Sequence, residues 1–172
     1  PSGVLCLASD WKLYCIFYGY VDRGNIFSFD PLSSTYTKGK DLSGPFGNLI
    51  QASDGKLYGM LQDFYLTTNT LFSFDPFTSS YKDVKIFNLV KDGYPNGNLM
   101  QARDGKLYGM TSDAIFSFDP SSSVYKQLKV HNGSNGSVGS GPALVEVREQ
   151  PPVVNLTSQV NNAVYSAPAM IP

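Results

Sequence analysis

Short apolar and aromatic runs alternate along the chain with clusters of Asp, Gly, Pro, Ser and Thr. NLIQA and KLYGM flank Asp54-Gly55, and NLMQA and KLYGM flank Asp104-Gly105. Asp-Gly between two strand-like runs predicts a β-hairpin with a two-residue type I′ turn, which needs positive φ at both central residues. Next comes IFSF or LFSF, a β-rich alternation that places each pair of Phe residues on one face. Asp-Pro ends that strand, because Pro cannot donate to a ladder and its fixed φ starts a turn. The Ser/Thr stretches SSTY, TSSY and SSVY lead into a fourth strand, YKDVKIF at 81–87 in the middle copy. No segment of helical length carries a 3.6-residue apolar period, so little or no helix is expected.

The same pattern recurs three times. GNLIQASDGKLYGM at 47–60 returns as GNLMQARDGKLYGM at 97–110, and a worn copy, GVLCLASDWKLYCI, stands at 3–16. NIFSFDPLSSTY, TLFSFDPFTSSY and AIFSFDPSSSVY follow at 25–36, 70–81 and 114–125. Asp30 and Asp75 are 45 positions apart, and Asp75 and Asp119 are 44 apart. Four antiparallel strands in a period of about 45 residues is the size of a propeller blade. LIQA and KLYGM are apolar on both faces, as blades covered on both faces require. The expected fold is therefore all-β: a β-propeller-type array of about three four-stranded repeats, a partial propeller. The repeat units run 3–46, 47–96 and 97–141, with a partial fourth start, PALVEV, at 142–147. After a composition shift, 148–172 reads as a linker and the start of another module.

The G-x-L-x-x-A-x-D-G-x-L-Y-G block followed by I/L-F-S-F-D-P resembles the bacterial tandem repeat called the Gloeo/Verruco repeat, over roughly residues 1–147. That family is found in large secreted or surface proteins and is regarded as propeller-like, so the resemblance implies a secreted or cell-surface location and further domains on the same polypeptide. It assigns no reaction. Trp11 and Cys15 depart from it, standing where later copies have Gly55 and Gly59. PVVNLTSQVNNAVYSAPAMIP is similar to the opening of bacterial immunoglobulin-like modules, about two strands of the seven such a sandwich needs.

Composition narrows the chemistry. Thirteen Lys and Arg against fourteen Asp and Glu give a formal charge of -1. That balance speaks against nucleic acid or a polybasic membrane contact as partner, and no apolar run approaches the ~20 residues of a membrane helix. A start at Pro1 suggests a mature or excised piece. The one histidine, His131, lies in a Gly/Ser-rich stretch, and no HExxH, CxxC, P-loop or G-x-S-x-G motif occurs. No metal, cofactor or catalytic residue is assigned.

Candidate sites remain at turns and irregular loops. Cys6 and Cys15 flank the Asp10-Trp11 turn, and a closing pair at Ser9 and Lys12 would set them opposite one another within disulfide reach. Asp30, Asp75 and Asp119 read as turn caps rather than calcium ligands, since one carboxylate per blade falls short of the six to eight oxygens calcium takes. Tyr14, Tyr58 and Tyr108 read as core. Trp11 at a turn tip, and Phe64, Tyr65 and Tyr94 in irregular loops, are the binding candidates, because loops on a rigid scaffold carry recognition. These observations lead to a non-catalytic scaffold or binding module that takes glycan or protein through its blade loops. Two alternatives stay open: a polysaccharide-acting propeller hydrolase or lyase, and a structural spacer.

Overall fold

The computed structural model describes residues 4–18, 23–62 and 69–130. They form twelve strands and no helix. Blade I contains β1 (Cys6–Leu7), β2 (Leu13–Tyr18), β3 (Arg23–Asp30) and β4 (Thr35–Ser43). Blade II contains β5 (Pro45–Gln51), β6 (Leu57–Leu61), β7 (Asn69–Phe74) and β8 (Tyr81–Phe87). Blade III contains β9 (Pro95–Gln101), β10 (Leu107–Thr111), β11 (Ala114–Asp119) and β12 (Val124–Val130). Each blade is one antiparallel sheet with its strands in sequence order, so each is a meander. The linker and module start at 148–172, and the fourth start at 142–147, lie outside the described residues.

The hairpin turns differ from the expected type. The Gly55 N–H donates to Ala52 O (2.9 Å), and the Ala52 N–H donates to Lys56 O (2.9 Å). The loop therefore holds three residues, Ser53, Asp54 and Gly55. Only Gly55 takes a positive φ, 82°, and Gly105 repeats it at 78°. This is a type I turn followed by a left-handed residue, the second common hairpin solution. In blade I the left-handed residue is Trp11, with φ 62°.

The extra loop residue corrects the cysteine reading. It shifts the register by one, so Cys6 faces Tyr14 and Leu7 faces Leu13. A one-residue shift sends a side chain to the other face of a sheet. Cys6 packs toward blade II, whereas Cys15 is buried beside Ile16, and both are free thiols.

Blade II is the middle layer, and its strands are apolar on both faces because both are covered. Leu49, Leu57, Leu61, Phe72 and Phe74 meet Tyr14, Ile16, Ile26 and Leu42 of blade I. The opposite face offers Tyr58, Met60, Leu71 and Phe87 to Leu99, Leu107, Phe116 and Phe118 of blade III. The two junctions repeat one contact: the rings of Tyr14 and Phe74 lie 6.4 Å apart, and those of Tyr58 and Phe118 lie 6.2 Å apart. Within blades, Tyr36, Tyr81 and Tyr125 sit against Phe27, Phe72 and Phe116 at 5.2–5.4 Å. Gly59 makes this packing fit, since a Cβ there would lie 2.6 Å from the Phe72 ring. Cys15 occupies the corresponding place in blade I, where Phe27 is half-buried while Phe72 and Phe116 are fully buried.

Candidate functional site

The meander divides the loops between two ends of the blades. At one end lie the Asp-Gly loops and the Asp-Pro turns. At the other lie the second-to-third strand loops and the blade-to-blade connections. The first end is nearly the same in every copy. The second differs in each: β10 joins β11 through Ser112 and Asp113, β6 joins β7 through 62–68, Gly44 alone joins β4 to β5, and 88–94 joins β8 to β9.

The regular end is committed to its own hydrogen bonds. Asp10, Asp54 and Asp104 each accept a backbone N–H two residues on (3.1–3.2 Å) and a tyrosine hydroxyl four residues on (2.8–2.9 Å). Those hydroxyls belong to Tyr14, Tyr58 and Tyr108. Tyr14 and Tyr58 are nearly inaccessible and line the junctions; Tyr108 is half-buried. Burial, then the neighbouring carboxylate, pushes the phenols of Tyr14 and Tyr58 well above their usual range. Asp30, Asp75 and Asp119 each accept two backbone N–H groups of their own turn. These bonds hold all three carboxyls below the usual range, as expected of caps; at Asp119 the Ser121 hydroxyl is the larger contributor.

A contact that the sequence reading missed joins neighbouring blades at this end. The Ser9 N–H donates to Gln51 Oε1 (2.8 Å), while Gln51 Nε2 donates to Ser9 Oγ (2.9 Å) and Gly55 O (2.8 Å). Gln101 does the same to Ser53 and Gly105 (2.7–3.0 Å). Each Gln thus fastens its own loop to that of the preceding blade. The available signal was the recurrence of Gln before Ala in one copy and Ser after Ala in the copy before it. Trp11 is 74% exposed at this end, on the loop that Gln51 holds through Ser9.

Tyr94 lies at the opposite end, so the structure does not bring it together with Trp11. Phe64 and Tyr65 lie outside the described residues. The 88–94 connection is tied down along its length. Asn88 caps its start, accepting from the N–H groups of Val90 and Lys91 (3.0 and 3.1 Å). Asp92, 6% exposed, accepts from Lys85 Nζ (2.9 Å), the Asn88 N–H (2.8 Å) and Gln127 Nε2 (3.2 Å). Gln127 also donates to Lys91 O (2.8 Å), binding the connection to blade III. Lys85 stands 4.4 Å from the Tyr125 ring centre, a cation–π contact. Burial, followed by the Asp92 charge, raises the Tyr125 phenol above its usual range.

Gly93 closes the arrangement with φ 76°, and a Cβ there would lie 2.6 Å from Ser112 Oγ. The Tyr94 N–H donates to that oxygen (3.1 Å), and the Ser112 N–H returns a bond to Tyr94 O (2.7 Å). The outcome is a loop tied down along its length, on which Tyr94 is 40% exposed and Val90 94% exposed.

A cleft of about 120 Å³ opens between blades I and II beside Lys12, Ser28, Thr37, Lys38 and Ser79. Drug-sized ligand pockets run from about 300 Å³ upward. Among the described residues, no three His, Cys, Asp or Glu side chains gather as metal ligands would. Among the described residues, the acids outside the repeat pattern have local partners: besides Asp92, Asp41 pairs with Lys38, Asp83 accepts from Tyr81 and Thr70, and Asp113 accepts from Ser112. No helix among the described residues is long and apolar enough to cross a membrane.

No family model and no curated protein matches the sequence. Solved structures do match its fold. The extracellular domain of BT4673 from B. thetaiotaomicron superimposes with a TM-score of 0.57 at 16% identity, over 76% of this chain and 17% of that one. The extracellular domain of BT3049 from the same organism gives 0.53 at 14%, over 80% and 18%. TolB from Acinetobacter baumannii gives 0.52 at 17%, over 75% and 32%. The fold is a partial β-propeller. This chain spans less than a third of each of these larger proteins.

Proposed function

We propose that the chain is part of a non-catalytic binding module in a larger secreted or surface-attached bacterial protein. In this reading its repeats are of the Gloeo/Verruco type, and 148–172 opens an Ig-like neighbour. The ligand, a glycan or a protein, is held at the irregular end, around Tyr94. One observation carries the proposal. The 88–94 connection is held by a buried carboxylate, a glycine in a left-handed conformation and bonds to β12 and to the β10–β11 loop of blade III, and it leaves the Tyr94 side chain 40% exposed. A pre-ordered aromatic offers contact area at little entropic cost on binding. The extracellular setting of the BT4673 and BT3049 domains supports the location.

A glycan array probed with the 172-residue chain and with Tyr94→Ala tests the reading. Binding by the parent chain that falls at least about tenfold in the variant, the loss of about 1.4 kcal/mol, is the expected result. Equal signals from both proteins would remove Tyr94 from the site. An array with no response would leave the glycan reading without support and favour a protein ligand or a spacer.

A further inference from the structure

The two interblade junctions are built from equivalent residues, so each is a reference for the other. Ser28 pairs with Thr37 in blade I, and Ser73 pairs with Lys82 in blade II. By that register Thr37, Lys38 and Gly39 stand where blade II has Lys82, Asp83 and Val84. Val84 packs against the core between blades II and III. Gly39 leaves the same place unfilled between blades I and II, and the cleft of about 120 Å³ opens there. A Cβ on Gly39 would lie 3.0 Å from Ile26 O and 3.6 Å from the Phe74 ring, two residues that line the cleft. The backbone does not ask for glycine. Gly39 has no positive φ, and the matching bulges of blades II and III carry Val84 and Leu128. A glycine inside a strand weakens it, and close approach of a ligand is one reason to keep it.

Charge changes together with space. Lys38 stands where blade II has Asp83. Lys12 stands where blade II has Lys56, which pairs with Asp54 at 3.9 Å. Lys12 itself forms no ion pair among the described residues. The field of Lys12 reaches Asp30, but Asp30 Oδ1 already accepts from the N–H groups of Leu32 and Ser33. Lys38 pairs with Asp41 at 2.6 Å, with both side chains more than half exposed. An exposed pair of that kind is weak and exchanges readily. Ser28, Thr37 and Ser79 add hydroxyls to the walls, and the nearly inaccessible Tyr14, Ile26 and Phe74 form an apolar floor.

We infer that this cleft binds the carboxylate end of a sugar acid. The ammonium groups of Lys12 and Lys38 take the carboxylate. The wall hydroxyls take sugar hydroxyls, and the floor takes the C–H face of the ring, which a bare inorganic anion lacks. Water fills ~30 Å³ per molecule, so the cleft admits a carboxylate and part of one ring while the remainder stays outside. The site lies beside Pro76 and Ser79, at the end of the blades opposite Tyr94, and does not rest on the reading of the 88–94 connection.

Amide chemical shifts of the full 172-residue chain, titrated with sodium glucuronate, glucose, acetate and inorganic phosphate at one ionic strength, test the inference. Glucuronate should shift Ser28, Thr37, Gly39 and Ser79 saturably, at concentrations at least about tenfold below those of the other three, the effect of one charge-assisted bond. Lys12→Met and Lys38→Asp should each weaken glucuronate at least about tenfold on the same grounds. Gly39→Val, which restores the filling of blade II, should abolish the response, and Tyr94→Ala should leave it unchanged. The two lysines are surface groups, so their variants decide the matter if valine strains the strand against Ile26 O. An equal response to acetate or phosphate would reduce the site to a general anion contact and overturn the inference. So would an equal response to glucose, unchanged affinity in both lysine variants, or a silent parent chain whose urea midpoint rises with Gly39→Val, the mark of a packing gap alone.

Discussion

At Gly59 and Gly109 a phenylalanine ring lies where a side chain would otherwise be. Gly59→Ala and Gly109→Ala should each cost about 1–3 kcal/mol through overpacking, read as a lower urea midpoint; an unchanged midpoint would show that the rings move aside freely. Trp11 presents the opposite case, a bulky residue in a left-handed conformation that glycine takes in the other two copies. Trp11→Gly should raise stability by about 0.5–1 kcal/mol, the relief of left-handed strain less the entropy of an added glycine. Titration follows from two sets of residues. Asp30, Asp75 and Asp119 have depressed folded-state pKa values, so their stabilisation is present above about pH 4 and is lost as pH falls through the folded values. Tyr14, Tyr58, Tyr81 and Tyr125 have raised values, so theirs is complete below about pH 10 and is lost as pH climbs toward the folded values. A pH series of urea midpoints should fall on both flanks; a flat alkaline flank would contradict the tyrosine burial.

Among the elements, the Gln fastening is the device that holds adjacent loops in register. Gln101→Ala removes three hydrogen bonds between blades II and III and within blade III. Partly exposed bonds contribute modestly, so the expected loss is about 1–2 kcal/mol, with faster amide exchange at Ser53; unchanged exchange there would mean water replaces the amide at no cost. Strand positions were legible before the structure because Asp-Gly, the Phe alternation and Asp-Pro each have a local physical cause, and YKDVKIF is β8 residue for residue. The turn type was not, since Asp-Gly suits both a two-residue and a three-residue loop. That single residue reversed the face of Cys15 relative to Cys6. The Gln–Ser fastening was likewise hidden, because it joins residues 42 and 48 positions apart whose meeting depends on blades stacking.

On the scale of the whole molecule, three sheets share two cores, and the function proposed rests on that stack having one uniform end and one varied end. The sequence marked Trp11, Phe64, Tyr65 and Tyr94 as one group of candidates, but strand direction separates Trp11 from Tyr94, a division that only the topology could make. Aromatic NOEs offer the most direct check on the stack. The account predicts side-chain cross-peaks between Tyr14 and Phe74 and between Tyr58 and Phe118, rings 6.4 and 6.2 Å apart at centre, alongside the intrablade Phe72–Tyr81 peak at 5.3 Å. An intrablade peak with both interblade peaks missing would show sheets that form without packing on one another, and would contradict it.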